Sequence, residues 1–463
     1  MKLNVEARTG CALREESASE HAGAILTRID WGRHGEAVHC TKRTRPFSQR
    51  VEDCAVRFGA LWKAAGSDTP RLGPRVRPDR QASRERKADE RIADVDRRLQ
   101  QYPDTKARRE VWREDFLRTL QDMAMGCLGF PEAGLKLFFN RTAMDATRQF
   151  IRNAKAFDPT MSDASIFQAL RNLWVIHNLQ LFLECDLGFS PAAFGYSMLY
   201  PWTDNYLDDP RMPESSKIAF GDWLARRLAG VCVTAPDAHA AQVSRLVGMI
   251  EECFCREEHP EVYLSLRAIH FAQMASLRQQ QAGASANEQN IVAITVEKGG
   301  TSVLTDAYLV RGWLTEAEAD FMFGYGVLLQ LMDDLQDLRN DLENRHATIF
   351  TQLAANGPLD EVTSRLWSFT QTVLWSSDHF PSPEFDPLKT LIQENCKLLL
   401  LQSVARNRDF YSGDFADELE TCSPFSFAYL RRREKSFGAE YAKIAGFMRR
   451  KHGIDSILDA MDC

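Results

Sequence analysis

The chain has 463 residues, of which 44% are hydrophobic and 26% charged, and this composition is typical of a globular protein that can bury a core without disulfides. Its 57 basic and 64 acidic residues give a net charge of −7, which argues against nucleic acid as a partner because phosphate binding needs a basic surface. The eleven cysteines form no CxxC pair, so we expect reduced thiols in a cytoplasmic protein. Neither a signal peptide nor a transmembrane segment is indicated.

Residues 1–105 are predicted to form a polar, partly disordered N-terminal extension, followed by a helical domain over residues 106–463. Segment 71–110 contains 13 Lys or Arg and 8 Asp or Glu but few large apolar residues, so it has little surface to bury. Two interpretations stay open: a solvated linker with one helix over 84–101, or a basic flap over an anionic substrate. An amphipathic helix is predicted over 48–65, and we expect the chain to fold without residues 1–60.

From residue 106 onward, apolar residues recur at intervals of three and four, a pattern typical of helices that bury one face. Proline residues and capping residues separate the segments, and no alternating strand pattern of useful length occurs. The sequence therefore predicts an all-α bundle. The helices are predicted at 142–157, 163–185, 191–208, 215–231, 237–256, 261–282, 288–313, 315–345, 359–378, 386–408 and 437–460.

Two acidic clusters end two of these predicted helices, and both follow apolar stretches. The first contains Asp204, Asp208 and Asp209, and the second contains Asp333, Asp334, Asp337 and Asp341. Residues four apart share a helix face, so carboxylates at this spacing repel each other unless cations bind. Carboxylate oxygens suit Mg²⁺, which also takes phosphate ligands. A charge run on a solvated helix end is the alternative for either cluster alone. Two matching clusters favour a metal-bridged diphosphate at one cavity mouth.

The stretch GYGVLLQLMDDLQDL resembles the second aspartate-rich motif of the class I isoprenoid synthases, FQxxDDxxD. TDNYLDD resembles a first motif of the DxxxD type, as in the large terpene synthases of bacteria, and Lys298-Gly299-Gly300 resembles the lysine-containing helix break of trans-prenyl diphosphate synthases. The resemblance covers roughly residues 165–410. It implies a class I terpenoid synthase-like helical bundle around a central cavity, a prenyl diphosphate substrate, and three Mg²⁺ ions held between the two motifs.

Departures from the family patterns favour one branch of the superfamily. No GGKxxRP-like element precedes the first motif, and only Arg211 and Lys217 follow it, so the site for a second diphosphate is missing. The NDxxSxxxE motif of plant and fungal cyclases is also absent. We therefore expect a terpene synthase that ionises one allylic diphosphate and then cyclises or deprotonates the cation. A trans-prenyl diphosphate synthase using isopentenyl diphosphate and a non-catalytic helical scaffold are the alternatives.

The expected catalytic residues are Asp204, Asp208, Asp333 and Asp337, which with Asp209, Asp334 and Asp341 are the expected metal ligands. Asp341 is expected one turn further toward solvent. The expected substrate-binding residues are Lys298, beside a Gly-Gly helix break, and Tyr200, Gln330, Arg227, Phe194 and Trp174. Arg406, Arg408 and Tyr411 are candidates for closing the cavity mouth. A homodimer is compatible with the sequence, which does not indicate substrate chain length or product skeleton.

Overall fold

The computed structural model describes residues 45–433 except 104, 139, 210, 283–287, 377–379 and 381. Every regular element in this part of the chain is helical and none of its residues lies in a strand, so the predicted all-α fold class is confirmed. None of the described helices combines the length and apolarity that a membrane crossing requires. The chain divides into two units, Met1–Asp53 and Cys54–Cys463. In the described part of the first unit, Arg45 forms an ion pair with Asp53.

The described α-helices are α1 Phe47–Ala64, α2 Pro78–Gln100, α3 Lys106–Met123, α4 Glu132–Phe138, α5 Arg141–Phe157, α6 Asp163–Phe182, α7 Pro191–Asp208, α8 Glu214–Leu228, α9 Ala238–Cys253, α10 Pro260–Ala282, α11 Glu288–Arg311, α12 Glu316–Gln336, α13 Leu338–Asn344, α14 Ile349–Ala354, α15 Asp360–Trp375, α16 Asp386–Arg406 and α17 Gly413–Cys422. A π-helical turn, Ala124–Leu128, and two short 3₁₀ turns, Pro383–Phe385 and Arg408–Phe410, are also present, and residues 427–433 are helical as well. The predicted helix over 437–460 lies outside the described residues.

Helix starts follow the capping signals in the sequence. Ser162 Oγ accepts from the Ser165 N–H at the start of α6, and Thr315 with Glu318 forms a complete capping box at the start of α12. Helix α7 spans the predicted residues 191–208 without a shift, because Ser190 caps it and Pro191 occupies its first turn. These signals are local, and that is why they were readable from the sequence.

The single predicted helix over 315–345 is wrong, because the chain turns at Asp337. Helix α12 ends at Gln336 and α13 begins at Leu338, while Asp337 adopts φ −91° and ψ 7° between them. The turn directs Asp341 into the protein, where it is 7% exposed and lies 3.4 Å from Nδ1 of His346. The expectation that Asp341 lies further toward solvent is therefore also wrong.

The expected helix break beside Lys298 is wrong as well, since α11 continues through Gly299 and Gly300. These glycines instead let α11 and α12 cross closely. A Cβ on Gly299 would lie 2.7 Å from the carbonyl oxygen of Gly326, and a Cβ on Gly300 would overlap the ring of Phe323. The close crossing brings the helix turn of Lys298 beside the helix turn of Gln330.

Helix α2 covers most of the basic segment and packs against the end of the described chain. Ala88 and Cys127 form a small apolar cluster with Phe425 and Tyr429. The Tyr429 hydroxyl donates to Asp89 at 2.6 Å. A helix in this segment is thus confirmed, whereas the domain boundary at residue 105 stays a prediction.

Candidate functional site

A cavity with about 720 Å³ of empty volume, part of it open to solvent, lies among helices α7, α8, α10, α11 and α12. Helix α7 contributes a continuous face, whose positions follow the three- and four-residue spacing of one side of a helix. That face consists of Tyr196, Leu199, Tyr200, Thr203, Asp204 and Leu207. The remaining lining residues are Leu224, Leu228, Leu266, Ile269, His270, Gln273, Lys298, Ser302 and Gln330. Apolar walls and a few polar groups are the usual make-up of a small-molecule site.

Asp204 is the acidic residue of the first cluster that lines the cavity. It is 8% exposed, its carboxylate accepts from Thr203 Oγ1 at 3.3 Å, and Tyr200 is a second hydrogen-bond partner. Burial raises the pKa of Asp204 to about 6, although the ammonium group of Lys298 acts in the opposite direction. The charged form of a buried carboxylate with a raised pKa is stabilised by any further cation that binds next to it.

The other two acids of the first cluster differ from Asp204. Asp208 is exposed at the end of α7, and its charge raises the pKa values of Asp204 and Tyr200. Asp209 lies beyond the helix and pairs with the Arg211 guanidinium, with an Nη2–Oδ2 distance of 2.8 Å. That pairing lowers the pKa of Asp209 to about 2. Only Asp208 therefore extends the acidic face of Asp204.

The second cluster is buried on one side of α12 and open on the other. Asp334 faces inward, accepts from Gln330 Nε2 at 2.8 Å, and has no partner for Oδ2 among the described residues. Burial raises its pKa to about 7. Burial also raises the pKa of Asp333, and desolvation with the nearby Asp333 charge raises the pKa of the more exposed Asp337 to about 6.

The two acidic clusters share a set of neighbours. Lys298 lowers the pKa values of both Asp204 and Asp333, and Tyr200 has its pKa raised chiefly by Asp204 and by burial, with a further contribution from Asp333. One ammonium group and one phenol therefore interact with carboxylates from α7 and α12. This geometry brings together five expected site residues at one cavity mouth: Tyr200, Asp204, Lys298, Gln330 and Asp333.

Three expected substrate-binding residues lie away from the cavity lining. Arg227 pairs with Glu251, with an Nη2–Oε2 distance of 2.6 Å. Phe194 is buried against Phe150, with ring centroids 5.1 Å apart, and it does not belong to the face of α7 that lines the cavity. Trp174 is 37% exposed on α6. Aromatic spacing alone does not distinguish the core face of a helix from its cavity face.

Among the candidates for closing the mouth, Arg406 is the one whose charge acts on an acidic residue of the second cluster. Its Nη1 donates to the carbonyl of Gln336 at 3.0 Å, and its charge lowers the pKa of Asp337. Arg408 instead donates to Ser412 O and pairs with Asp417, and Tyr411 is buried beside Thr363. Neither of these two lines the cavity.

Sequence reasoning missed Arg171 of α6 and the polar pair of α10. Arg171 lowers the pKa values of Asp333, Asp337 and Tyr200, so its charge reaches the mouth. No sequence signal marks Arg171, which resembles any exposed helix cation. His270 and Gln273 share a face with Leu266 and Ile269, and this polar interruption of an apolar face was the available signal.

The donor set can be tested against Mg²⁺. In the described part of the chain, no three His, Cys, Asp or Glu side chains are already arranged to hold a metal ion. The carboxyl groups of the mouth nevertheless offer oxygen ligands, the pKa values of four of them are raised, and Asp334 Oδ2 has no partner within the described chain. Excess carboxylate charge of this kind is what a hard divalent cation neutralises, so the donor chemistry fits Mg²⁺.

No protein-family model matches the chain, and neither the curated proteins nor the solved structures contain a match.

Proposed function

We propose that the chain is a class I terpene synthase, a carbon–oxygen lyase that ionises a linear allylic prenyl diphosphate and releases diphosphate and a terpene. The observation that supports this most directly is Lys298, which interacts with Asp204 of α7 and Asp333 of α12 at the mouth of a mainly apolar cavity. The ammonium group of Lys298 favours an anionic ligand. The carboxylates around it would repel that ligand unless metal ions bound between them, so a metal-bridged diphosphate fits the mouth.

At the mouth, Lys298 and Arg171 would stabilise the charge that develops on the departing diphosphate. Asp204, Asp208, Asp333 and Asp337 would hold Mg²⁺, which when bound supplies positive charge to the leaving group. Gln330 orients Asp334 by a hydrogen bond and so keeps the end of α12 in place. Asp209 and Asp341 are left out of the ligand set, because Arg211 and His346 occupy them.

Below the mouth, the chain supplies a cavity for the allylic cation. Leucine side chains from α7, α8 and α10 exclude water, and a cation deprived of water reacts within its own carbon skeleton. The rings of Tyr196 and Tyr200 line the same space, and aromatic faces stabilise cations electrostatically. These residues support cyclisation or elimination after ionisation.

Two alternatives are weaker on the same residues. Chain elongation needs basic residues for a second diphosphate, but Arg211 is paired with Asp209 at the surface. A non-catalytic scaffold would not need desolvated carboxylates around a cavity, which oppose folding by electrostatic repulsion.

The test is to incubate the protein with Mg²⁺ and each linear allylic diphosphate from C10 to C25, with and without isopentenyl diphosphate. Diphosphate release and a hexane-soluble product from one substrate alone would support the terpene synthase. Product formation that depends on isopentenyl diphosphate would favour elongation, and no reaction with any substrate would favour the scaffold.

A further inference from the structure

The cavity wall contributed by α10 carries two polar side chains on an otherwise apolar face. His270 is 7% exposed and Gln273 is 5% exposed, and Leu266 and Ile269 are their neighbours on the same face. Residues three apart on a helix are adjacent, with Cβ atoms about 5–6 Å apart. Polar groups in such a position have to find a partner, because a buried unpartnered group is destabilising.

The hydrogen bond of His270 fixes its tautomer. Its Nε2 lies 2.9 Å from the carbonyl oxygen of Gly221, which can only accept, so Nε2 carries the proton and donates. Nδ1 therefore presents a lone pair, and it makes no hydrogen bond to any described residue. Burial lowers the pKa of His270 to about 4, although Gly221 O and the charge of Asp222 act in the opposite direction. The ring is thus neutral at pH 7.

Gln273 provides the complementary group. Its Nε2 is buried and has no hydrogen-bond partner in the described part of the chain. An unused amide donor and an unused imidazole acceptor are thus carried by two residues three apart on one helix, both of which line the cavity. A water molecule fits such a pair, because it accepts from one group and donates to the other.

We infer that His270 and Gln273 hold one water molecule that captures the carbocation, so that the product is a terpene alcohol. This inference rests on the proposed function and deepens it by naming the product class. The leucines exclude bulk water, whereas this pair would admit a single positioned molecule.

The capture step balances without another reagent. A lone pair of the water oxygen forms the new C–O bond with the cationic carbon. One O–H bond breaks, its electrons stay on oxygen, and its proton passes to Nδ1 of His270, which becomes imidazolium. A protonated alcohol is a far stronger acid than imidazolium, so a weakly basic ring is sufficient. The imidazolium then returns its proton to released diphosphate or solvent.

The experiment is to run the reaction in H₂¹⁸O with Mg²⁺ and the active allylic diphosphate, and to measure ¹⁸O in the extracted alcohol and in the diphosphate. Capture of the carbocation puts ¹⁸O in the alcohol. Phosphatase-type cleavage would put it in the diphosphate and would overturn the inference. We expect alcohol to be the main product and to carry the label.

Two variants and one control locate the effect. His270→Asn can still donate to Gly221 O but cannot take the proton, and Gln273→Leu removes the donor to water. Each should lower the ratio of alcohol to hydrocarbon at least tenfold. His239→Gln, whose imidazole packs on Tyr206 and does not line the cavity, should leave the ratio unchanged.

The inference and the proposed function fail differently. If wild type releases diphosphate but its product carries no ¹⁸O, or if the variants keep the wild-type ratio, the inference is overturned and the terpene synthase stands. If no substrate is ionised, both fall. A readout without substrate is the ¹⁵N spectrum of the histidines in wild type and His270→Asn. A neutral Nε2–H tautomer at His270 is expected at pH 7, and a protonated ring or the Nδ1–H tautomer would overturn the inference.

Discussion

At the residue scale, the acidic positions separate into two groups by what they contact. The charges of Lys298 and Arg171 act on Asp333, which forms no ion pair within the described part of the chain, whereas Asp209 is paired with Arg211. Asp333 and Asp209, which belong to the two acidic motifs, therefore differ in whether their charge is already neutralised by a neighbouring cation. Sequence spacing predicted the acidic motifs. It could not show that Asp209 pairs with Arg211 and Asp341 with His346, because both contacts depend on a local turn of the chain.

We expect Asp333→Asn to lower turnover at least 100-fold, since losing a metal ligand at a charge-developing step costs about 3 kcal/mol or more. Without Mg²⁺ the melting temperature should hold or rise, because the substitution removes a desolvated carboxylate near Asp341. With Mg²⁺ and pyrophosphate, wild type should gain thermal stability and the variant should not. Asp209→Asn is the matched control and should keep the gain. An equal ligand-induced rise in Asp333→Asn would contradict the site.

Asp341→Asn should change stability in a pH-dependent way. Its carboxylate is the main cause of the raised pKa of His346, so the stabilisation is full below about pH 6.5, the unfolded value, and is lost as pH rises through the folded pKa. We expect a cost of about 1–2 kcal/mol at pH 6 and little or none at pH 9. Melting temperatures from pH 6 to 9 measure this, with His346→Gln as the partner variant. If the loss of stability in Asp341→Asn does not change with pH, the ion pair between Asp341 and His346 is not its cause.

At the element scale, the sequence predicted where helices lie better than how they pack. Pro191 and the Thr315 capping box are local signals, so the starts of α7 and α12 were predictable. Gly299 and Gly300 look like a helix break, and only the surface of α12 shows that they permit a close crossing. The sequence did not predict the cavity face of α10 for the same reason: which face of α10 lines the cavity depends on how four other helices pack around it.

Gly326→Ala should be destabilising, because its Cβ would overlap the carbonyl oxygen of Gly299 in the opposite helix. Backbone cannot move aside as a side chain can, so we expect a cost of about 1–3 kcal/mol. Gly248→Ala on α9 is the matched control. Nothing lies within 4 Å of its added Cβ, and a helical Gly→Ala change should stabilise by about 0.5–1 kcal/mol. Urea denaturation compares them, and a shift of the same sign in both would contradict the close crossing.

Gly326→Ala should also weaken the response to Mg²⁺ and pyrophosphate. The crossing sets the spacing between the turns of Lys298 and Gln330, so separating the helices moves two groups of the mouth at once. The site is therefore a property of helix packing as much as of motif residues.

At the scale of the whole molecule, the structure changes the expectation that residues 1–60 are dispensable. Phe58 is 1% exposed, and its ring stacks on Phe323 with centroids 5.9 Å apart. Gly324 has no room for a Cβ because that ring occupies the space. Phe58 thus packs against α12, the helix that carries Asp333. The composition of residues 1–105 did not indicate this contact, because one buried aromatic side chain hardly changes the average polarity of such a long segment.

Deleting residues 1–60 should therefore lower the melting temperature. Removing a fully buried phenylalanine costs about 3–5 kcal/mol, and the space it leaves would lie directly beneath α12. Phe58→Ala in the full-length chain should reproduce most of that loss and should reduce the affinity for Mg²⁺ and pyrophosphate. Val56→Ala, at a 69% exposed position of the same helix, should change stability by no more than about 0.5 kcal/mol. Thermal melts of all three proteins decide the matter. If the truncated chain and Phe58→Ala melt as wild type does, α1 does not support the helix that carries the second acidic cluster.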